Sequence, residues 1–97
     1  MTGAADTVEV ADVPERSRFE ILVDGAVAGF AIYRLAPGRI TFVHTEIDEA
    51  YAGQGLGGKL ARAALDTARA RGLAVRPDCP FIKGWIAKHP DYADLVA

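Results

Sequence analysis

Three groups of residues in this chain have types and spacings that could do chemistry. The first is a run of glycines, Ala52-Gly53-Gln54-Gly55-Leu56-Gly57-Gly58, lying between a strand-like and a helix-like stretch. A helix N-terminus has unpaired N–H groups and a partial positive charge. Glycines let an anion approach that backbone closely, so the run reads as a phosphate cradle, and a pyrophosphate suits it well. The plainer reading is a tight connection that needs small residues only for packing. The second group is His44 and Glu46, two apart on a strand and so on one face. Together they could take up a proton near neutral pH; the plainer reading is a solvated glutamate beside a surface histidine. The third is Cys79, the only cysteine, placed directly before Pro80. At the cap of a helix the dipole favours the thiolate, the nucleophilic form of the side chain. A lone cysteine can equally be a buried, inert thiol.

The elements that must position these groups follow from periodicity. Residues 18–24 alternate, with Phe19, Ile21 and Val23 on one face and Arg18, Glu20 and Leu22 on the other, which predicts a half-buried strand. Asp24-Gly25 is a hairpin turn signal, and residues 27–35 form the partner strand, with Gly29 as a bulge site. Ala36-Pro37-Gly38-Arg39 turns the chain again into a third strand over 39–48. After the glycines the period becomes helical over 56–71. Leu60, Ala64 and Ala68 form its apolar stripe, widened by Ala61 and Leu65, and Gly72 stops it. Residues 73–77 form a short fourth strand, which a right-handed crossover pairs parallel with the third. Pro80 opens a second helix whose apolar face is Phe81, Ile82, Trp85 and Ile86, ended by His89-Pro90. Residues 92–96 are apolar enough to pack. Residues 1–17 read as a flexible lead-in with at most a short strand near Val8 and Val10, leaving 18–97 as the one domain. The fold class is α/β in the α+β sense, a three-stranded antiparallel meander followed by the glycine turn, a helix, a parallel strand and a second helix.

Composition bounds the function. Ninety-seven residues hold one core, and 51% hydrophobic with 25% charged residues is ordinary globular usage. A net charge of -2 gives no electrostatic footprint for nucleic acid. No apolar stretch is long enough to span a bilayer, and no signal peptide is visible at the start. One cysteine cannot form an internal disulfide, which fits a reducing compartment. The expectation is a cytoplasmic protein with no membrane or nucleic-acid partner, monomeric or weakly dimeric, and with no metal.

Three phosphate-binding patterns compete for the glycine run. Gly53 to Lys59 matches the Walker spacing, but Leu60 stands where Ser or Thr must hold Mg²⁺. Gly53, Gly55 and Gly58 match the dinucleotide fingerprint, but that motif follows the first strand of a parallel sheet, not an antiparallel meander. Residues 47–60 resemble the acetyl-CoA-binding motif of the GCN5-related N-acetyltransferases: Gly55 and Gly57 match its two glycine positions, while Ala52 stands where Arg or Gln is usual. His44-Thr45-Glu46-Ile47, Cys79-Pro80-Phe81, Trp85-Ile86 and His89-Pro90-Asp91-Tyr92 extend the likeness in order along residues 17–96. Together they resemble the small, single-domain branch of that family.

That resemblance implies acetyl-CoA or CoA as cofactor, held by Gly53, Gln54, Gly55, Leu56, Gly57, Gly58 and Lys59. It implies a splayed gap between the third and fourth strands, with the pantetheine arm bonded to backbone near Glu46 and Ile47. Acetyl transfer from a thioester needs a neutral amine, a polarised carbonyl and a stabilised leaving thiolate. Glu46 and His44 are then candidate bases. Cys79, facing the gap, is a candidate acyl acceptor or a wall of the thioester site. Lys83 and Lys88 could meet phosphates or face water, Tyr92 is a weak candidate acid, and Tyr51 and Trp85 read as packing. The leading expectation is an acetyl-CoA-dependent transfer to a primary amine on a small molecule, a lysine or a protein N-terminus. The alternatives are a CoA-binding module without catalysis and an interaction protein whose glycine turn is only a turn.

Overall fold

The computed structural model describes residues 7–96. Five strands form one sheet in the order β1-β2-β3-β4-β5: β1 (Val8–Val13), β2 (Arg18–Val23), β3 (Ala26–Ala36), β4 (Arg39–Ile47) and β5 (Ala74–Pro77). The first four are antiparallel neighbours, and β5 lies parallel to β4. Helix α1 (Leu56–Ala70) makes the crossover, and α2 (Pro80–Lys88) follows β5. A 3₁₀ turn, Pro90–Leu95, then brings Val96 beside Val75.

The antiparallel part has four strands, not three. The short strand expected near Val8 and Val10 is present and longer than expected: residues 8–13 pair with β2 along their whole length, so this part of the lead-in belongs to the sheet. Residues 1–6 lie outside the described residues. The strand escapes a reading based on apolar alternation because its third inward position is an acid. Asp12 pairs opposite Phe19, so it faces the core side, where it accepts a 2.5 Å bond from the Tyr33 hydroxyl. Arg71, just past α1, lies 2.9 Å from its other oxygen. Burial and the Asp12 carboxylate together push Tyr33 up to about 12.

Both helices cover one face of the sheet. Phe19, Ile21, Tyr33, Ile40 and Phe42 meet Leu60, Ala64 and Leu65 of α1 and Ile82 of α2 in one core. The stripe expected for α1 is buried throughout, as is Leu56 at its start. The second helix departs from expectation: Ile82 and Ile86 are buried, but Phe81 is 43% exposed and Trp85 is only half-buried. Trp85 therefore packs at the margin of the core, and Phe81 lies outside it. The other face of the sheet has no helix and carries Arg18, Glu20, Phe30, His44 and Glu46. Gly29 marks the irregularity expected of it: β2 and β3 shift register beside it, and a Cβ there would fall 2.6 Å from the Glu46 carbonyl oxygen.

Candidate functional site at the parting of two strands

Strands β4 and β5 pair from Arg39–Ala74 to Phe42–Pro77 and then separate. The last link is the Cys79 N–H, which donates to the Phe42 carbonyl at 2.8 Å. Beyond it, residues 43–47 have a strand neighbour only on the β3 side. The Asp48 N–H donates to the Ala28 carbonyl. Antiparallel pairs alternate between bonded and non-bonded, so Glu46 spends its backbone on Phe30 and His44 on Ile32. The N–H and C=O groups of Thr45 and Ile47 then point into the open gap. This edge is built by a bulge, because the β3–β4 register shifts between Ile32 and Tyr33.

Side chains of the expected site fall on two sides of this gap. Thr45 lies opposite buried Ala31, on the helix side of the sheet. Its Oγ1 is 3.3 Å from the Cys79 Sγ, and Cys79 is 2% exposed. Cys79 does cap α2, with Pro80 at the first helical position and its carbonyl accepting from the Lys83 N–H. His44 and Glu46 project from the opposite, open face. His44 Nε2 is 3.2 Å from Glu46 Oε1, with both side chains more than half exposed. The fold thus brings His44 to Glu46 and Cys79 to Thr45, and separates the two pairs by the thickness of the sheet. Tyr92 is buried and bonded to Asp66 at 2.7 Å, which holds its hydroxyl above the usual tyrosine range. That bond makes Tyr92 part of the helix packing.

The glycine turn joins the gap to α1. Gly53 and Gly55 have φ of +81° and +73°, and Gly55 caps the helix without any side-chain bond. The other two glycines answer to packing. A Cβ on Gly57 would meet the Phe81 ring at 2.8 Å, and one on Gly58 would touch Trp85 at 3.4 Å. The number of glycines is therefore no argument for an anion by itself. The N-terminus of α1 itself suits an anion: no side chain caps it, and its first turn carries no acidic residue and includes Lys59. Unsatisfied N–H groups beside a lysine are the donor set a diphosphate needs.

A groove of about 420 Å³ opens beside that turn, lined by Gly55, Lys59, Arg62, Asp66, Trp85 and His89 among others. Trp85 and His89 stack with ring centroids 3.8 Å apart. His89 Nδ1 lies 2.7 Å from the Trp85 carbonyl, which can only accept, so this nitrogen carries the proton. The Arg62 guanidinium sits 5.3 Å from the Trp85 ring centre and donates to the Tyr92 hydroxyl. Sequence reading assigned Trp85 to the core and passed over Arg62 and His89. The signal available was the i, i+4 spacing of Trp85 and His89 on a two-turn helix.

The sequence and the fold have counterparts among known proteins. A family model described as GCN5-related N-acetyl-transferase matches residues 18–95. The chain belongs to this family. A search of curated proteins found no match. Among solved structures, a GCN5-like protein from Staphylococcus aureus is 26% identical, with a TM-score of 0.70 over 92% of this chain and 87% of that one. Ard1 from Thermoplasma volcanium is 26% identical with a TM-score of 0.57, over 68% of this chain. A ribosomal-protein-alanine N-acetyltransferase from Brucella melitensis biovar Abortus 2308 shares the fold at 20% identity and a TM-score of 0.57, over 82% of this chain. The matched parts are 45% and 60% of those two longer proteins. The family and fold are those of N-acetyltransferases. Among the described residues, no helix is long and apolar enough to cross a membrane.

Proposed function

We propose that the chain is an acetyl-CoA-dependent N-acetyltransferase acting on a primary amine in the cytoplasm. The observation that carries this reading is the continuity of three features: an uncapped helix N-terminus, an unpaired strand edge, and an exposed acid–base pair where that edge ends. When bound, acetyl-CoA supplies the activated acetyl group. The N–H groups at the start of α1, with Lys59, hold its diphosphate. Lys59, Arg62 and Trp85 in the adjoining groove hold its nucleotide end. The backbone of Thr45 and Ile47 holds its pantetheine arm. His44 and Glu46 take the proton from the incoming amine on the open face.

Cys79 lines the thioester end of this path. As an acyl acceptor it would need a group to take its proton, and its side-chain partner is Thr45, which is no base. Direct transfer to the amine is therefore favoured over an acetyl-Cys79 intermediate. The non-catalytic alternative, a CoA-binding module, shares the first two features but gives His44–Glu46 no task.

Cofactor binding is tested first, and turnover then separates the readings. CoA at 100 times its Kd should raise stability by about 2.7 kcal/mol, seen as a thermal shift; no shift at millimolar CoA would remove both cofactor readings. Trp85 is the only tryptophan, so its fluorescence reports occupancy of the groove directly. Incubation with acetyl-CoA and a panel of amines should then yield acetylated product and free CoA thiol. Binding without turnover for every amine would leave the module reading. Mass spectrometry of the denatured protein would expose any acetyl-Cys79.

A further inference from the structure

On the open face of the sheet, at the foot of the gap, lies a groove of about 380 Å³. Its lining includes Arg34, Arg39, Thr41, Arg76 and Asp78. The strand register explains why they converge. Thr41 of β4 sits between Arg34 of β3 and Arg76 of β5 in one cross-strand row. Arg39 lies two positions along β4 on the same face. Arg76 is paired with Asp78 at 3.0 Å. Arg34 and Arg39 have no ion pair among the described residues. Three guanidiniums thus share one groove with a single carboxylate, in a chain whose net charge is -2. No two of the arginines are directly opposite; Arg39 is diagonal to both Arg34 and Arg76, within reach for long side chains, so their like charges repel. An anion in the groove would relieve this repulsion, and the planar guanidinium fork suits a carboxylate or phosphate.

The groove and the His44–Glu46 pair lie on the same face of β4. Thr41 and His44 are three residues apart, about 10 Å along the strand. We infer that this groove is an acceptor subsite: the amine substrate carries a carboxylate or phosphate about 10 Å from its nitrogen. The inference rests on the proposed acetyltransferase function and deepens it by naming the class of acceptor. An acid on the third residue of an extended peptide with a free N-terminus has this spacing. The net charge argues weakly for a basic partner; the local field at this end of the site argues the opposite.

The test uses three peptides with a free α-amine and an amidated C-terminus: Ala-Ala-Glu-Ala, Ala-Ala-Gln-Ala and Ala-Ala-phosphoserine-Ala. Their affinities are measured by calorimetry at low salt, on the wild-type protein and on the exposed double variant R34A/R76A. The acidic peptides should bind wild type about tenfold more tightly than the glutamine peptide. The double variant should lose that preference and leave the glutamine peptide unchanged. The preference should also shrink at high salt, as screening requires. Equal affinity of the glutamate and glutamine peptides for wild type, or a preference that survives in R34A/R76A, would overturn the inference. The ratio of phosphoserine to glutamate peptide identifies which anion the groove prefers. Acetylation of the α-amine is then followed separately by mass spectrometry with acetyl-CoA. Acidic peptides that bind through the arginines but are never acetylated would count against the acetyltransferase reading and leave the subsite standing.

Discussion

The two faces of the sheet differ in what their residues answer to. On the helix side, nearly every feature is fixed by packing: Cys79 is buried against Thr45, Gly57 makes room for Phe81, and Leu60 and Leu65 fill the core. On the open side, His44, Glu46, Arg34, Arg39 and Arg76 are exposed and polar. Their placement adds little to stability, since exposed ion pairs contribute at most about 1 kcal/mol. A residue whose environment explains its identity through packing needs no further role. Exposed charges gathered at and just before the parting of two strands call for another explanation. On the proposed function, the cofactor side of the site would be the structural side, and the acceptor side the one free to specialise.

The sharpest way to break this contrast is to exchange the expected effects of one residue from each face. Leu60→Ala should destabilise the fold by about 3 kcal/mol, because a fully buried leucine loses both transfer energy and packing. Urea denaturation at neutral pH measures it, and binding of CoA below the shifted midpoint should persist. Glu46→Gln should do the reverse: about a 100-fold loss of turnover, the lower range for removing a general base, with the denaturation midpoint unchanged. If Glu46→Gln unfolds the protein or leaves turnover intact, the assignment of the open face to chemistry fails.

A buried polar cluster tests the same contrast from the structural side. Tyr33 is raised to about 12 by burial and by its bond to Asp12. Its folded value thus exceeds the ordinary value near 10 that it has when unfolded. The folded state holds the proton more tightly, so this stabilisation is complete below pH 10 and is lost between pH 10 and 12. The loss should be about 1–2 kcal/mol by linkage, measured by urea denaturation at pH 9 and 11.5. Tyr33→Phe should reduce the pH slope. It should not abolish it, because Tyr92 is raised in the same direction by its bond to Asp66 and by burial.

How much of this was legible in the sequence follows from the same division. Wherever one face is apolar and the other polar, periodicity identifies the element: the Phe19–Ile21–Val23 alternation and the Leu60–Ala64–Ala68 stripe both match the observed burial. The resemblance carried by the glycine turn and the Cys79 block identified the family. Periodicity failed where a polar residue faces inward, as Asp12 does in β1, and where an aromatic faces outward, as Phe81 does in α2. Nor could spacing alone tell that His44–Glu46 and Thr45–Cys79 project to opposite sides. Strand alternation separates Thr45 from its neighbours, but placing Cys79 beside it requires the β5–α2 junction to fold back over the helix side. The arginine groove was illegible for a related reason. Arg34, Arg39 and Arg76 come from three strands, and only the register aligns them.

The glycine turn is where packing and ligand binding compete for the same residue, so the smallest expected effect discriminates best there. Alanine is better than glycine in a helix interior by about 1 kcal/mol; Gly57 is the second residue of α1, where only part of that gain favours Gly57→Ala. The new methyl would press on the tip of the Phe81 ring, but that side chain is 43% exposed and can swing outward. The two effects oppose each other, and stability should stay within about 0.5 kcal/mol of wild type, as for most substitutions outside the core. If the start of α1 also receives a diphosphate, the methyl stands beside the donors that must approach it, and CoA affinity should fall roughly tenfold, or about 1.4 kcal/mol. Titration of Trp85 fluorescence with CoA reads that number. Unchanged affinity together with unchanged stability would mean that Gly57 serves the Phe81 contact alone, and that only the turn before it faces the anion.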